Sequence, residues 1–355
     1  MINDRPRTQA YKNAITPALF RDKIVMDVGC GSGILSLFAA QAGARKVYAV
    51  EASDMAEAAQ AIVWDNAMGH IIQVVKCKLE DIPEYRSARH SSDDSAAQDG
   101  IPPNSVDIIM SEWMGFHLVH EYMLASVIVA RDRFLKKTTG LMLPNTATIF
   151  IAPVNMAQHI TERVDAWSDC YGFDFSAMGK IARAAMLEKP EVQVIDPVQV
   201  LAQPLPVVRM DCSTITHAEL ISIMSPFTFN FNTSDTALHG FACWFEVTFP
   251  GTSAVLSTSP TAPATHWKQS VFFIPRGIAV GPNALSQLSG HVEFAQDRGN
   301  ARLCSVSFAL DGIQGDVDDN GSDWMDEDES DLNDDDTTAK HLLLQALGLD
   351  KHTLE

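Results

Sequence analysis

The chain has 355 residues, 46% of them hydrophobic, and a formal net charge of −19. This length accommodates two domains with ordinary cores. The acidic balance argues against nucleic acid as a direct ligand and favours basic partners.

The six cysteines are scattered without a CxxC pair, which predicts a reduced protein without a zinc site or disulfide framework. No run of roughly 18 consecutive apolar residues, the length that spans a bilayer, occurs in the sequence. The first residues, MINDRPRTQAYKNAI, are too polar for a signal peptide. We therefore expect a soluble protein of the nucleus or cytoplasm, without membrane attachment.

Up to about residue 145, segments typical of strands and helices alternate. The predicted strands are KIVMDVG, KVYAVE, IQVVKCK and VDIIMSE, and the predicted helices are SGILSLFAAQAGA, MAEAAQAIVWDNAMG and a segment from about Tyr122 to Leu135. Such alternation predicts a parallel sheet of the doubly wound type. Between Arg86 and Pro103 the chain is rich in Ser, Asp, Ala and Pro without periodicity, which predicts a mobile surface insertion.

After Leu143-Pro144 the pattern changes to short β-rich runs such as TATIFIAPV and GFACWFEVTF, which predict a β-barrel or sandwich. Met156 to Lys189 has apolar residues at helical spacing, which indicates an arm or lid; the alternative is a helix packed on its own barrel. Between Asp316 and Asp336 twelve residues are acidic and none is basic. Residues 313–355 are therefore predicted to form an acidic disordered tail.

A glycine-rich turn, Asp27-Val28-Gly29-Cys30-Gly31-Ser32-Gly33, follows the first predicted strand. Glycines at alternate positions let the backbone turn tightly and approach a ligand without Cβ clashes. A dinucleotide site is the rival interpretation. However, Asp27 would repel a pyrophosphate and suit an ammonium group, and the pattern is GxGxG rather than GxGxxG. These features favour S-adenosylmethionine.

Two further carboxylates lie at the ends of later predicted strands. Glu51 ends the second predicted strand, where it could accept hydrogen bonds from ribose hydroxyls. That position would suit NAD equally, so the combination of Asp27 with the glycines decides between the two ligands. The third predicted strand supplies Lys78-Leu79-Glu80, where the Glu80 carboxylate could accept from an adenine amino group; a solvated glutamate at the strand end is the alternative.

Two glutamates, Glu112 and Glu121, lie at the ends of the stretch EWMGFHLVHE after a buried strand. Desolvating a carboxylate costs on the order of several kcal/mol unless a partner compensates. A guanidinium is the natural partner, because it is planar, always charged and matched to carboxylates. Glu112 lies past the carboxyl end of its strand, where open α/β sheets bind ligands, and Glu121 is predicted to open the next helix. The alternatives are solvated glutamates, or a metal site with His117 and His120, although HxxHE is neither HExxH nor HxxEH.

With the motifs VMDVGCGSG, SEWMGFHLVHE and THWKQ, the chain resembles the type I branch of the protein arginine methyltransferases from Met1 to about Leu310. The resemblance implies a Rossmann-like S-adenosylmethionine methyltransferase domain over residues 1–145 and a cis-proline junction at Pro144. It also implies a β-barrel domain over 146–312 that carries a helical dimerisation arm at 157–190. The implied reaction transfers methyl groups from S-adenosylmethionine to arginine guanidino nitrogens of proteins. Its products are mono- and asymmetric dimethylarginine and S-adenosylhomocysteine, and no metal takes part.

The resemblance also implies a role for each matching residue. Glu112 and Glu121 would grip the substrate guanidinium, and His266, which without the family would be interpreted as a structural barrel histidine, would support the site with Asp4. Trp267 and two methionines, Met1 and Met123, would shape the acceptor pocket and direct the product towards asymmetric dimethylarginine. The donor would be contacted by Arg7 at its carboxylate and by Asp27, Gly29, Gly31, Gly33, Glu51 and Glu80.

The implied partners are basic proteins, such as histone tails and RNA-binding proteins, and a second copy in a homodimer; neither nucleic acid nor a membrane is expected. The implied location is the nucleus, or nucleus and cytoplasm, with a role in chromatin and transcription. Family members begin with a further helix bearing a YFxxY-like segment that folds over the donor, and this sequence starts after that point. The alternatives are a non-catalytic cofactor-binding scaffold, a truncated inactive form without that lid, and a small-molecule methyltransferase.

Overall fold

The computed structural model describes residues 2–83 and 100–312. The predictions for Met1, for most of the insertion at 86–103 and for the tail at 313–355 therefore lie outside the described residues. The chain divides into two units, a large one formed by the residues up to Met156 and from Lys189 to Ala309, and a small one that contains Ala157–Glu188. None of the described helices is long and apolar enough to cross a membrane.

A parallel sheet forms the first part of the large unit. Its strands are β1 (Ile24–Val28), β2 (Lys46–Glu51), β3 (Ile72–Lys76), β4 (Ile108–Met110) and β5 (Leu141–Leu143). They are ordered β3-β2-β1-β4-β5, and every neighbouring pair is parallel. The strand order reverses between β1 and β4, and open α/β sheets bind ligands outside the carboxyl ends of the strands at such a point. The predicted Rossmann-like fold is confirmed.

Helices precede and connect these strands. They are α1 (Arg5–Ala14) and α2 (Pro17–Phe20) before β1, α3 (Ile34–Gln41) after β1, α4 (Met55–Asp65) after β2 and α5 (Leu124–Phe134) after β4. In α4 the buried residues are Ala56, Ala59 and Val63, whose spacing places them on one face of the helix. The small apolar residues that recur at helical spacing in the sequence therefore form the face by which α4 packs.

Helix α5 begins later than predicted. It starts at Leu124, so the prediction that Glu121 opens this helix is wrong. Glu121 and Tyr122 have φ values of +75° and +51°, which lie in the left-handed region and cannot continue a right-handed helix. Glu121 instead lies near the end of the loop that precedes α5.

From Thr146 onwards the large unit is antiparallel and forms the predicted β-barrel. Its strands are β6 (Thr146–Val154), β7 (Glu191–Gln193), β8 (Leu205–Asp211), β9 (Ser222–Asn230), β10 (Thr236–Thr248), β11 (Val255–Ser257), β12 (Gln269–Val280), β13 (Gln287–Gln296) and β14 (Cys304–Leu310). A short helix, α8 (His217–Ile221), precedes β9. The sheet orders are β7-β12-β10-β6-β8, with β11 paired to β10, and β14-β13-β9.

The two parts of the large unit join at Leu143 and Pro144, whose peptide bond is cis, as the resemblance implied. β6 follows directly and pairs with β10 from Thr146 opposite Thr248 to Val154 opposite Gly240. Aromatic rings fill the barrel behind β10, and those of Phe241 and Phe308 stack with centroids 4.5 Å apart. These stacked rings form part of a close-packed core inside the barrel.

The small unit is helical, as predicted for Met156 to Lys189. It contains α6 (Ala157–Arg163), a 3-10 turn (Asp165–Ser168) and α7 (Ser176–Glu188). An added Cβ on Gly179 would lie 2.7 Å from the carbonyl oxygen of Val164, so α7 and the preceding segment pack closely. Tyr171 and Phe173 remain exposed.

Candidate active site

The glycine turn between β1 and α3 has a left-handed backbone at three positions. Gly29, Gly31 and Gly33 have φ values of +71°, +52° and +80°, a region that residues with a Cβ rarely adopt. The N–H of Gly29 donates to the carbonyl of Val50 at 2.9 Å, and the N–H of Gly31 donates to Oε2 of Glu51 at 2.9 Å. The turn is therefore held against the end of β2.

The space beside this turn fits the methyl donor predicted from the sequence. A Cβ built on Gly31 would meet no atom within 4 Å, so open space lies over the backbone. Asp27 is buried; its Oδ2 accepts from the hydroxyl of Ser36 at 2.7 Å, while Oδ1 has no hydrogen-bond partner among the described residues. Burial raises the pKa of Asp27 to about 7, and the Ser36 hydroxyl opposes this rise. A free buried oxygen of this kind suits an ammonium group.

Glu51 ends β2, as predicted, and its oxygens also hold the local backbone. Oε1 accepts from the N–H and the hydroxyl of Ser53 at 2.8 and 2.7 Å, and Oε2 accepts from Gly31. Partial burial works to raise the pKa of Glu51, but these hydrogen bonds hold it below its usual value. The charged carboxylate has acceptor capacity left for ligand hydroxyls.

Glu80 lies in a 3-10 turn, Leu79–Asp81, after β3 rather than on the strand. Its Oε1 accepts from the hydroxyl of Ser126 in α5 at 2.6 Å. Met123 precedes α5, and a Cβ on Gly29 would lie 3.6 Å from its Cε. The start of α5 therefore links Glu80 with the glycine turn.

Glu112, two residues after β4, forms a buried ion pair with Arg7. Nη1 of Arg7 lies 2.7 Å from Oε2 of Glu112, and the two side chains are 5% and 8% exposed. Burial raises the pKa of Glu112 to about 7; the charge of Arg7 opposes this rise and that of Glu121 adds to it. Arg7, which the resemblance assigns to the donor's carboxylate, contacts Glu112 in this structure.

The loop from Ser111 to Tyr122 has an unusual backbone. His117 and Leu118 have φ values of +43° and +76°, and Gly115 and Leu118 exchange backbone hydrogen bonds at 3.0 and 3.1 Å. Glycine is required at Gly115 because a Cβ there would collide with the carbonyl of His120. Non-glycine residues in this region cost about 1–3 kcal/mol each, so surrounding contacts must hold the loop in place.

Glu121 is held by the turn between β13 and β14. Its N–H donates to the carbonyl oxygen of Arg302 at 2.7 Å. Its Oε2 lies 3.6 Å from Nη2 of Arg302, and the two side chains are 50% and 71% exposed. Glu112 is thus buried and Glu121 open to solvent, yet each carboxylate faces a guanidinium of the chain itself.

His266 and Asp4 join the barrel to the N-terminal helix. The backbone N–H and the Nδ1 of His266 both bond to Oδ2 of Asp4, at 2.8 and 2.6 Å. Asp4 also caps α1 by accepting from the N–H of Arg7 at 3.1 Å. Trp267 is buried and donates from Nε1 to the carbonyl of Met114 at 2.9 Å. The THW segment therefore touches both the helix that carries Arg7 and the loop that carries the glutamates.

Sequence reasoning missed three supports of this site. The Tyr11 hydroxyl donates to the carbonyl of Ser111 at 2.8 Å, and the Ser111 hydroxyl donates to the carbonyl of Val28 at 2.8 Å. These bonds tie α1 to the ends of β4 and β1. Arg302 is the third, and no local pattern points to it, because its turn meets the loop only in the folded barrel.

The histidines of the loop pack into the barrel. His117 is buried, with its Nδ1 3.4 Å from Oγ of Ser270 and its ring 5.7 Å from that of Phe272. Burial lowers the pKa of His117 to about 3, so the ring is neutral. Within residues 2–83 and 100–312, no group of three or more His, Cys, Asp or Glu is arranged to hold a metal ion.

Both halves of the chain match models of methyltransferase families. Residues 145–312 match the arginine methyltransferase oligomerization subdomain, and residues 6–93 match ribosomal protein L11 methyltransferase (PrmA). The first match covers the barrel and the small helical unit, and the second covers the glycine turn and Glu51. Fold and site together define a methyltransferase whose barrel belongs to the arginine-specific class.

Curated relatives name that class directly. Protein arginine N-methyltransferase 6 of Xenopus tropicalis is 40% identical over 316 residues, which cover 86% of this chain and 85% of the relative. Probable protein arginine N-methyltransferase 6 of Arabidopsis thaliana is 36% identical over 344 residues, covering 86% of this chain and 74% of the relative. The chain belongs to the protein arginine methyltransferase family, in its type I branch. The stretches LHGFACWFEVTFP and VLSTSPTAPATHWKQ also resemble protein arginine methyltransferase 6.

A solved structure supports the same assignment. The Trypanosoma brucei PRMT1 enzyme-prozyme heterotetrameric complex with AdoHcy superposes with a TM-score of 0.74 at 31% identity. The match covers 89% of this chain and 92% of that chain. The similarity therefore extends over both the Rossmann-like and the barrel parts.

Proposed function

We propose that the protein transfers methyl groups from S-adenosylmethionine to guanidino nitrogens of protein arginines, forming mono- and asymmetric dimethylarginine. The observation that carries this function is the pair Glu112 and Glu121, which lie on one loop and face the guanidinium groups of Arg7 and Arg302. Carboxylates that pair with guanidinium groups inside the molecule have the chemistry to hold one from a substrate. Family membership makes the protein a protein-arginine methyltransferase with S-adenosylmethionine as methyl donor.

The glycine turn and the carboxylates around it would hold the donor. The three glycines leave the backbone open to it, and the free oxygen of Asp27 would accept from its ammonium group. When bound, S-adenosylmethionine supplies an electrophilic methyl group on a sulfonium, so catalysis rests mainly on positioning and charge placement. The remaining contacts, to the ribose, the carboxylate and the adenine, fall to Glu51, Arg7 and Glu80.

Glu112 and Glu121 would fix the substrate guanidinium. Their negative charges draw its positive charge towards the nitrogens that they bind, so the attacking nitrogen keeps a lone pair. The hydrogen bond from Trp267 to the carbonyl of Met114 ties the loop to the barrel. These residues therefore orient the nucleophile without needing to deprotonate it first.

His266 is a candidate proton acceptor for the reaction. Because Asp4 can only accept, Nδ1 of His266 donates to it, and a neutral ring leaves Nε2 as an acceptor. Partial burial lowers the pKa of His266, although Asp4 opposes this, so the ring is mainly neutral at pH 7. A strong base is not required, since the nitrogen becomes acidic only after methylation. His266 or Glu121 would take the proton.

The product pattern would be set by methionines. Met123 lies at the glycine turn, with its Cε 3.6 Å from the position of a Cβ on Gly29. Met1, outside the described residues, would be the second. Crowding of the acceptor nitrogen by their side chains would direct a second methyl group to the same nitrogen and yield asymmetric dimethylarginine.

The partners would be basic protein segments, such as histone tails and RNA-binding proteins, in the nucleus or in the nucleus and cytoplasm. The net charge of −19 supports such substrates. A homodimer would form through Ala157–Glu188, whose exposed Tyr171 and Phe173 offer an apolar contact surface. The match of residues 145–312 to an oligomerization subdomain supports this assembly.

The decisive experiment combines Glu121→Gln with a donor titration. Glu121→Gln should reduce methyl transfer to an arginine-rich peptide by more than tenfold, because loss of a charge-assisted contact costs about 2–5 kcal/mol. Calorimetric affinity for S-adenosylhomocysteine should stay near wild type. The matched control is Glu293→Gln, a barrel glutamate bound to the Ser222 hydroxyl, which should keep full activity.

Mass spectrometry of a histone mixture incubated with labelled donor identifies the product. Methylated arginine supports the proposal, whereas label in small molecules alone, or no label at all, supports a small-molecule enzyme or a non-catalytic scaffold. Turnover of Glu121→Gln within tenfold of wild type would contradict the role given to that residue.

A further inference from the structure

The two glutamates of the loop face internal guanidinium groups in different ways. Arg7 and Glu112 are buried and 2.7 Å apart, in hydrogen-bond contact. Arg302 and Glu121 are largely exposed and 3.6 Å apart, beyond a hydrogen bond but within an ion pair. The first pair is part of the packed site, while the second is loose and open to solvent.

The loop does not need the side chain of Arg302 to keep its shape. The carbonyl oxygen of Arg302 accepts from the N–H of Glu121, and any residue at position 302 offers that carbonyl. The turn itself is built by other groups: Oδ1 of Asp297 accepts from the N–H groups of Gly299 and Asn300, at 2.8 and 2.7 Å. The guanidinium of Arg302 is therefore free to leave Glu121 without loss of the turn.

The charges also make the pairing at Glu121 exchangeable. An exposed ion pair gains little net free energy, because water solvates both partners and long side chains lose freedom on pairing. A substrate guanidinium that reaches both Glu112 and Glu121 gains two carboxylate partners instead of one. It can therefore replace Arg302 at Glu121, while Arg7 stays with the buried Glu112.

We infer that Arg302 is a displaceable internal guanidinium that occupies Glu121 until a substrate arginine takes its place, and so sets the affinity for arginine substrates. The inference rests on the proposed function and adds a specificity-determining residue to it. Substrate arginines compete with a tethered group of the same chemistry, so only segments that also bind elsewhere on the protein are held well.

The test is Arg302→Gln in the full chain, which keeps the backbone carbonyl and removes the charge. Removing an exposed competitor should lower KM for an arginine peptide by about two- to fivefold, with a smaller change of kcat. The peptide Kd, measured by calorimetry with S-adenosylhomocysteine present, should fall by a similar factor. Arg302→Lys should stay nearer wild type, because it keeps the charge.

A matched control separates this local effect from a general change in surface charge. Arg298 is exposed on the same turn, and no ion pair between described residues involves it. Arg298→Gln removes the same charge and should leave KM within experimental error of wild type. Equal thermal stability of the three variants excludes damage to the barrel as the cause.

Several outcomes overturn the inference. These are an unchanged or raised peptide Kd in Arg302→Gln, an equal fall of Kd in Arg298→Gln, or a loss of kcat that Arg302→Lys restores. The last would make Arg302 a positioning residue for Glu121. Failure of the proposed function is recognised separately, since wild type would then transfer no methyl to arginine or Glu121→Gln would remain active.

Discussion

Arg7 and Glu112, 105 residues apart in the sequence, form a buried hydrogen-bonded ion pair of 2.7 Å in the folded chain. Burial alone would keep the carboxyl group of Glu112 neutral, because a desolvated charge is unfavourable. Its pKa of about 7 reflects that burial, the opposing charge of Arg7 and the added repulsion from Glu121. Glu112 therefore changes its charge state close to physiological pH.

The pH profile of methyl transfer should report this group. Because a raised pKa leaves Glu112 protonated below about 7, kcat/KM for an arginine peptide should fall by about tenfold per pH unit below that value. The measurement is kcat/KM between pH 5.5 and 9 with saturating donor.

Arg7→Gln provides the control for that profile. Removing the positive charge that lowers the pKa of Glu112 should move the acid limb to higher pH. An acid limb below pH 6 in wild type, or an unmoved limb in Arg7→Gln, would show that another group controls the profile.

Asp27→Asn should stabilise the protein at alkaline pH while weakening donor binding. The pKa of Asp27 is raised from 3.8 to about 7 in the folded chain, so protonation of this group favours the folded state. The stabilisation is fully present below pH 3.8 and is lost as the pH rises through 7. The variant should have a higher urea midpoint than wild type at pH 8, and the difference should shrink at pH 5.

Asp107→Asn is the matched control of opposite sign. Burial favours a higher pKa for Asp107, but hydrogen bonds from Lys136 and the N–H of Ile24 hold that pKa below its usual value. The stability that ionised Asp107 contributes is present above the pKa that this group has in the unfolded chain. Asp107→Asn should therefore be less stable than wild type at pH 8. Equal destabilisation by both substitutions would refute the assignment for Asp27.

Gly31→Ala should separate backbone strain from ligand exclusion. Gly31 has φ +52° and open space where a Cβ would stand, so alanine should cost about 1–2 kcal/mol in stability and project into the donor's space. Gly251 has φ +70° and equally open space, so Gly251→Ala should cost a similar stability. Calorimetry should show donor affinity reduced more than tenfold only in Gly31→Ala; equal affinities would remove the donor from this turn.

The dimer should depend on the exposed aromatic residues of the small unit. The double variant Tyr171→Ser and Phe173→Ser should lower the molar mass measured by light scattering at micromolar concentration to that of a monomer. Trp64→Ser, which removes another exposed aromatic side chain, should leave the mass unchanged. A wild-type protein that is already monomeric would rule out the proposed assembly.

The features that could be predicted from the amino-acid sequence are those that short stretches of backbone encode. The left-handed glycines of the GxGxG turn, the alternation of strands and helices before Leu143 and the helical spacing after Met156 all reappear in the structure. Each depends on local sterics or on the period of apolar residues. The position of Glu112 past β4 follows from the same reasoning.

The assembly of the site depends on long-range contacts that appear only in the folded chain. The sequence pattern places Glu121 at the start of a helix, but its backbone is left-handed and is held by the carbonyl of Arg302 on a distant turn. Asp4 and His266 meet across 262 residues, and the sequence suggested that pair only through family resemblance. Such contacts depend on how the barrel packs against the parallel sheet. No local sequence pattern shows which distant side chains will pair. The partners that set charge and geometry at the two glutamates are therefore properties of the fold.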